Sequence, residues 1–231
     1  TINKAAKETP LNYEKIGFPG YDRLMVQLGG KYGYINLKGE EVIPLKYDNA
    51  WDFSNWQNVG YLSTVRLGKK SGVIDTSGRE VVPLVYDWVL LYREGFAPVR
   101  MDGPKKIAAD SQWGYIDSSG KLVIPMKYNE ARYFSEGLAA VSIPKGNNYF
   151  NFGFIDITGK VVIPFDYESA EEFKEGLAAV RKNKKYGFIN REGKLVIDFK
   201  YDMVVRNFDR GRARVMLNGK EVTINKKGEE Q

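Results

Sequence analysis

The chain of 231 residues has no cysteine and no histidine. The first absence excludes disulfides and thiolate chemistry. The second excludes a Ser-His-Asp triad and any site that needs imidazole as a base or metal ligand near neutral pH. Most familiar enzyme constellations go with them. No stretch reaches the roughly 18 apolar residues that a membrane-spanning helix needs. The phosphate-cradling loop G-x-x-x-x-G-K-[ST] is absent too.

What the chain has is repetition. Hydrophobic residues make up 43% and aromatic residues 13%, enough to bury a substantial core. The stretch Gly176 to Tyr201, GLAAVRKNKKYGFINREGKLVIDFKY, recurs along the sequence. Aligned on its central isoleucine, the copies fall at Ile35, Ile74, Ile116, Ile155, Ile189 and Ile224, spaced by 39, 42, 39, 34 and 35 residues. Within a copy, Val180 and Phe188 to Asn190 are β-prone, and Asn190 to Gly193 supplies a polar turn, which together predict a hairpin. Leu195 to Ile197 predict a third strand. In four other copies Pro44, Pro83, Pro125 or Pro164 is expected to close that strand, because proline has no N–H to donate. A short fourth segment such as Trp88 to Tyr92 and a Glu-Gly turn lead into the next copy.

The Trp113 to Asp117 run, WGYID, with its variants YGYIN, SGVID, FGFID and YGFIN, resembles the bacterial WG-repeat (KWG-repeat) proteins. That resemblance covers the chain from about Pro10 onward and implies a β-rich scaffold of uncharacterised role. The pattern is broken at Ser71, where the aromatic is missing, at Asp198, where proline is missing, and at Val222, where glycine is missing. A bacterial protein without cysteine is at home inside or outside the cell. With Thr1 rather than Met at the start, the expectation is a cytoplasmic protein, or an exported one with an N-terminal segment removed.

Residues 1–9 read as a polar tail, and residues 10–231 as one repeat domain. Pro10 to Ile16 match Pro164 to Ala170, the closing part of a copy, while Arg212 to Glu230 supply only the opening strands of a sixth. The fold class expected is therefore all-β: a tandem array of about six antiparallel meanders of three to four strands, closed like a β-propeller, with residues 10–20 completing the last copy. An open β-solenoid or superhelix is the alternative.

Residues that exceed the repeat are the candidates for function. Trp51 and Trp56 crowd the second copy, either as a stacking platform or as filler between neighbours. Insertions follow at Met101 to Ser111, carrying Lys105 and Lys106, and at Pro144 to Phe150, carrying Lys145, Tyr149 and Phe150. Both occupy the inter-strand loop, where every copy also has lysine, so the net charge of +6 invites an acidic partner. Solubilising the loop and guarding sheet edges is the competing reading of those lysines. The recurring Asp75, Asp117 and Asp156 are exchanged for Asn36, Asn190 and Asn225, which fits a turn cap rather than a metal or catalytic site.

No cofactor and no metal is expected. The reading is a non-enzymatic scaffold that binds another protein through one loop-bearing face, with Tyr149 and Phe150 as anchors and lysines for steering. A binder of glycan or anionic polymer at the bacterial envelope is the alternative, and a hydrolase with paired carboxylates the remote one. Nucleic acid is disfavoured, because the regular aromatics fall in strands, where a core wants them.

Overall fold

The computed structural model describes residues 12–56, 59–103, 111–146 and 149–231, and among them there is no helix. Six consecutive sheets follow the copies. The first holds β1 (Lys15–Ile16), β2 (Arg23–Leu28), β3 (Lys31–Asn36) and β4 (Glu41–Tyr47). The second holds β5 (Asn49–Ala50), β6 (Ser54–Trp56), β7 (Gly60–Leu67), β8 (Lys70–Asp75) and β9 (Glu80–Tyr86). In the third are β10 (Trp88–Val89), β11 (Phe96–Met101), β12 (Gln112–Asp117) and β13 (Leu122–Tyr128). The fourth comprises β14 (Glu130–Ala131), β15 (Leu138–Gly146), β16 (Tyr149–Asp156) and β17 (Val161–Tyr167). β18 (Ser169–Ala170), β19 (Leu177–Lys182), β20 (Lys185–Asn190) and β21 (Leu195–Tyr201) form the fifth. The sixth has three strands, β22 (Met203–Asp209), β23 (Arg212–Leu217) and β24 (Lys220–Asn225).

The short fourth segment of each copy, Trp88–Val89 for example, pairs forward with the next hairpin and so begins a sheet rather than ending one. Lys15 and Ile16 pair with Gln27 and Val26, which places this part of the 10–20 segment in the first sheet. The chain divides into two compact units, residues 1–101 with 115–123 and residues 102–114 with 124–231.

Two local devices explain the repeat consensus. The Glu-Gly pair makes a tight turn with positive φ at both residues, 53° at Glu175 and 85° at Gly176, as a hairpin twisted like its strands requires. The glycine before the central isoleucine is demanded by a close approach. A Cβ at Gly187 would lie 2.6 Å from the Ile197 carbonyl oxygen, because β21 bulges over β20 at this point. The prolines belong to the same feature, which corrects the expectation that they close the third strand. Pro44 lies inside β4, beside the register shift around Gly33, and the strand runs on to Tyr47. An outer strand at a bulge has no ladder partner for the missing N–H, so proline is tolerated there.

In the first unit, Met25, Tyr34, Ile43 and Tyr47 pack with Ala50, Phe53, Val65 and Ile74. In the second, Leu138, Ala140, Phe154 and Ile163 meet Ala178, Val180 and Ile189, with Phe173 against Phe154 at 4.9 Å. Leu177, Ala179, Phe188 and Ile197 of the fifth sheet meet Ala213, Val215 and Ile224 of the sixth. The fifth sheet is thus buried on both faces. That is why its strand β19 reads as the continuous apolar run Leu177 to Val180 instead of an alternation.

Candidate interaction surface

Within the insertion at Pro144 to Phe150, residues 147 and 148 lie outside the described residues, and those around them are strand. Residues on both sides of its tip continue the ladder, Ile143 opposite Asn151 and Pro144 opposite Phe150, so β15 and β16 reach nine and eight residues where β19 and β20 have six each. The hairpin therefore carries its tip beyond that of its neighbour. Tyr149 is 71% exposed there, Phe150 is half-buried and Lys145 is exposed, while Phe152 further down joins the core.

A groove of about 610 Å³ runs beside this hairpin, lined by Glu130, Lys145, Tyr149, Phe150, Arg181 and Lys184 among others. Its far wall comes from the fifth sheet. Glu168 accepts the Lys184 backbone N–H at 3.2 Å and sits 3.6 Å from Arg181. The Arg181 guanidinium lies 5.9 Å from the centre of the Tyr186 ring. Aromatic surface from one sheet thus faces cationic surface from the next, an arrangement suited to a segment with an apolar anchor and an acidic flank.

The other candidates scatter. Trp51 is 45% exposed, and its carbonyl accepts hydrogen bonds from the Tyr34 hydroxyl at 2.8 Å and the Ser63 hydroxyl at 2.6 Å. Trp56 is 4% exposed, packs against Tyr92 with ring centres 5.4 Å apart and planes tilted by 50°, and donates its indole N–H to Ser54 Oγ at 2.8 Å. It is filler between neighbours, and no platform of two exposed tryptophans forms. Lys105 and Lys106 lie outside the described residues. At the base of their loop, Ser111 donates to Asp102 at 3.0 Å.

Three loop lysines are committed to carboxylates. Lys31 donates to Asp48 at 2.5 Å, Lys70 to Asp87 at 3.0 Å, and Lys185 to Asp202. Each pair is 17 residues apart because Tyr32, Ser71 and Tyr186 lie directly opposite Tyr47, Tyr86 and Tyr201 across the ladder. The hydrogen bond from Lys31 and the Gly68 N–H hold the Asp48 carboxyl below the usual range, and Lys185 does the same for Asp202. Composition showed the lysines, but their partners follow only from the register. Where the first residue of the pair is Gln112 or Asn151, the second is Asn129 or Glu168.

The Asp or Asn before each turn is a cap. Asp156 Oδ1 accepts the Thr158 hydroxyl at 2.6 Å and the N–H groups of Thr158 and Lys160 at 2.9 and 3.1 Å. Asn36 accepts those of Lys38 and Glu40 in the same way. Among the described residues no group of three or more carboxylates is placed to hold a metal. Further ties link successive copies: Glu136 accepts the Gly176 N–H at 2.9 Å, and Glu175 that of Gly211 at 2.9 Å.

A family model described as WG containing repeat matches residues 32–70, 72–103, 113–149, 152–186 and 186–220. These segments cover the first five anchors and stop short of the sixth. No curated protein matches the sequence. Among solved structures, one described as the eukaryotic initiation factor aligns with a TM-score of 0.58 at 12% identity, over 97% of this chain and 66% of that one. This chain therefore spans just under two thirds of its length, and the likeness is one of fold: successive antiparallel meanders of β-propeller-like type. A puromycin hydrolase aligns at a TM-score of 0.47 and 11% identity, over 99% of this chain and 48% of that one. AztD from Citrobacter koseri aligns at 0.43 and 11%, over 96% and 73%.

Proposed function

The chain belongs to the WG-repeat family, and from that premise we propose that it is a non-enzymatic scaffold that binds another protein through the projecting Leu138–Asp156 hairpin. One observation carries the reading: a tyrosine 71% exposed at the tip of an overlong hairpin, beside a half-buried phenylalanine and a groove of about 610 Å³. An exposed aromatic held on a ladder loses little entropy on binding, which makes it a natural anchor. Lys145, Arg181 and Lys184 supply steering. Glu168, a carboxylate of this groove, is tied to Arg181 and the Lys184 backbone, and that supports a structural rather than a catalytic use. The glycan or polyanion alternative draws on Trp51. The pairing of Lys31, Lys70 and Lys185 withdraws three of its charges.

Photo-crosslinking tests the proposal. A benzophenone side chain at position 149 should give a discrete protein adduct in cells of the source organism, and one at the exposed Ile157, just past the other end of the same strand, should not. In a lysate brought to about 0.5 M salt before irradiation, where lysine-led association is screened, the adduct at 149 should still form. Absence of an adduct at 149, equal labelling at both positions, or loss of the adduct in salt contradicts the proposal.

A further inference from the structure

The sixth sheet departs from the fifth on one face only. In the fifth, Leu177, Ala179 and Phe188 project forward onto the sixth, while Ala178, Val180 and Ile189 project back onto the fourth. Aligning Gly211 with Gly176 and Ile224 with Ile189 puts Arg212, Arg214 and Thr223 at the three forward positions. Two neighbouring changes run the same way, with Arg206 where the fifth copy has Glu171 and Arg210 where it has Glu175, and one runs against them, with Asp209 where it has Lys174. The backward positions keep their character, since Ala213, Val215 and Ile224 are buried.

Strand register gathers these substitutions. Arg206 lies opposite Arg214, which lies opposite Thr223, so the three form a row across β22, β23 and β24. With Asp209, Arg210 and Arg212 they line a groove of about 640 Å³. Arg206 donates to Asp209 at 2.7 Å and Arg214 to Glu221 at 2.9 Å. Among the described residues, the guanidinium groups of Arg210 and Arg212 have no ion-pair partner. Asp209 and Glu221 answer two of the four arginines, and the excess positive charge of Arg210 and Arg212 is what an added anion would answer.

We propose that this forward face docks an acidic peptide segment of a partner protein, its carboxylates taken bidentately by Arg210 and Arg212 and its backbone lying along the row Arg206, Arg214, Thr223. The guanidinium fork matches carboxylate geometry, and the two unpaired arginines supply the open positions. Asp209 in the groove and the lack of any aromatic lining disfavour a nucleic-acid strand, which asks for stacking surface.

Fluorescence anisotropy of the full chain with a labelled peptide of alternating Glu and Ser tests this. Binding should be saturable and weakened at least about tenfold by the double substitution Arg210→Gln, Arg212→Gln. The same charge removed at the exposed Lys38 and Lys121 should change it by less than about twofold. The reversal Arg210→Glu, Arg212→Glu should bind a peptide of alternating Lys and Ser, a gain that misfolding cannot produce. The proposal is overturned by absence of saturable binding, by an equal loss in the lysine control, by failure of the charge-reversed pair, or by an oligothymidylate that binds as tightly as the peptide.

Discussion

Asp and Asn alternate before the turns because the turn needs an acceptor and not a charge. Asp156 and Asn36 accept the same two backbone N–H groups through one oxygen. Asp156→Asn should therefore fold and melt close to the parent, while Asp156→Ala lowers the melting temperature, as differential scanning fluorimetry reads directly. The charge still matters for pH. The Ser119 hydroxyl holds the Asp117 carboxyl below its ordinary value, the Thr158 hydroxyl does so for Asp156, and Lys31 and Lys185 for Asp48 and Asp202. A carboxyl with a depressed folded-state pKa contributes stability that is present above its unfolded value and lost as pH falls through the folded one. The melting temperature should thus hold steady down to about pH 5 and drop below it. Gly187 is a different kind of position. Alanine there would press against the Ile197 carbonyl, and urea unfolding should show a loss of about 1–3 kcal/mol.

The hairpins and third strands were legible in the sequence, because β-prone runs and turn residues recur at every anchor, while the pairing of the short segments Lys15–Ile16 and Trp88–Val89 with the hairpins that follow them was fixed only by the register. Nor was the bulge legible. Proline at position 44 has the same local chemistry whether it ends a strand or sits in a kink, and only the close approach over Gly33 decides. The lysine-to-acid pairs were likewise present as a 17-residue spacing and invisible without the ladder that sets Tyr32 opposite Tyr47. Of the candidate site, Lys145, Tyr149 and Phe150 stood out because an insertion breaks the period. Lys184 showed only as one of the recurring loop lysines and Arg181 not at all, since they lie in an ordinary copy and join the groove only through sheet stacking. That stacking has a measurable strength. Phe188 is fully buried against Phe208 at 5.0 Å, and Phe188→Ala should cost about 3–5 kcal/mol in urea unfolding. Tyr149→Ala, at an exposed tip, should stay within about 0.5 kcal/mol of the parent in the same assay.

At the scale of the molecule, the proposed function divides recognition and stability between different residues of the same repeat. Interior faces, Glu-Gly ties and capped turns join successive copies, and the proposal gives the partner to the positions that break the period. The net charge of +6 is accordingly a poor guide by itself, because it does not say which cations stand unpaired, and Lys31, Lys70 and Lys185 are each matched by a carboxylate. Exchanging one copy's hairpin tip for another's separates the two roles most directly. Residues 143–151 would be replaced by the short turn Lys182 to Lys185 of the fifth copy, which joins Ser142 to Phe152 as Arg181 is joined to Tyr186 and leaves the rest of the fourth sheet intact. The grafted chain should keep the parent's melting temperature and lose the protein that crosslinks at position 149. A grafted chain that still captures that protein at the parent's affinity would place the binding surface elsewhere and contradict the proposed function.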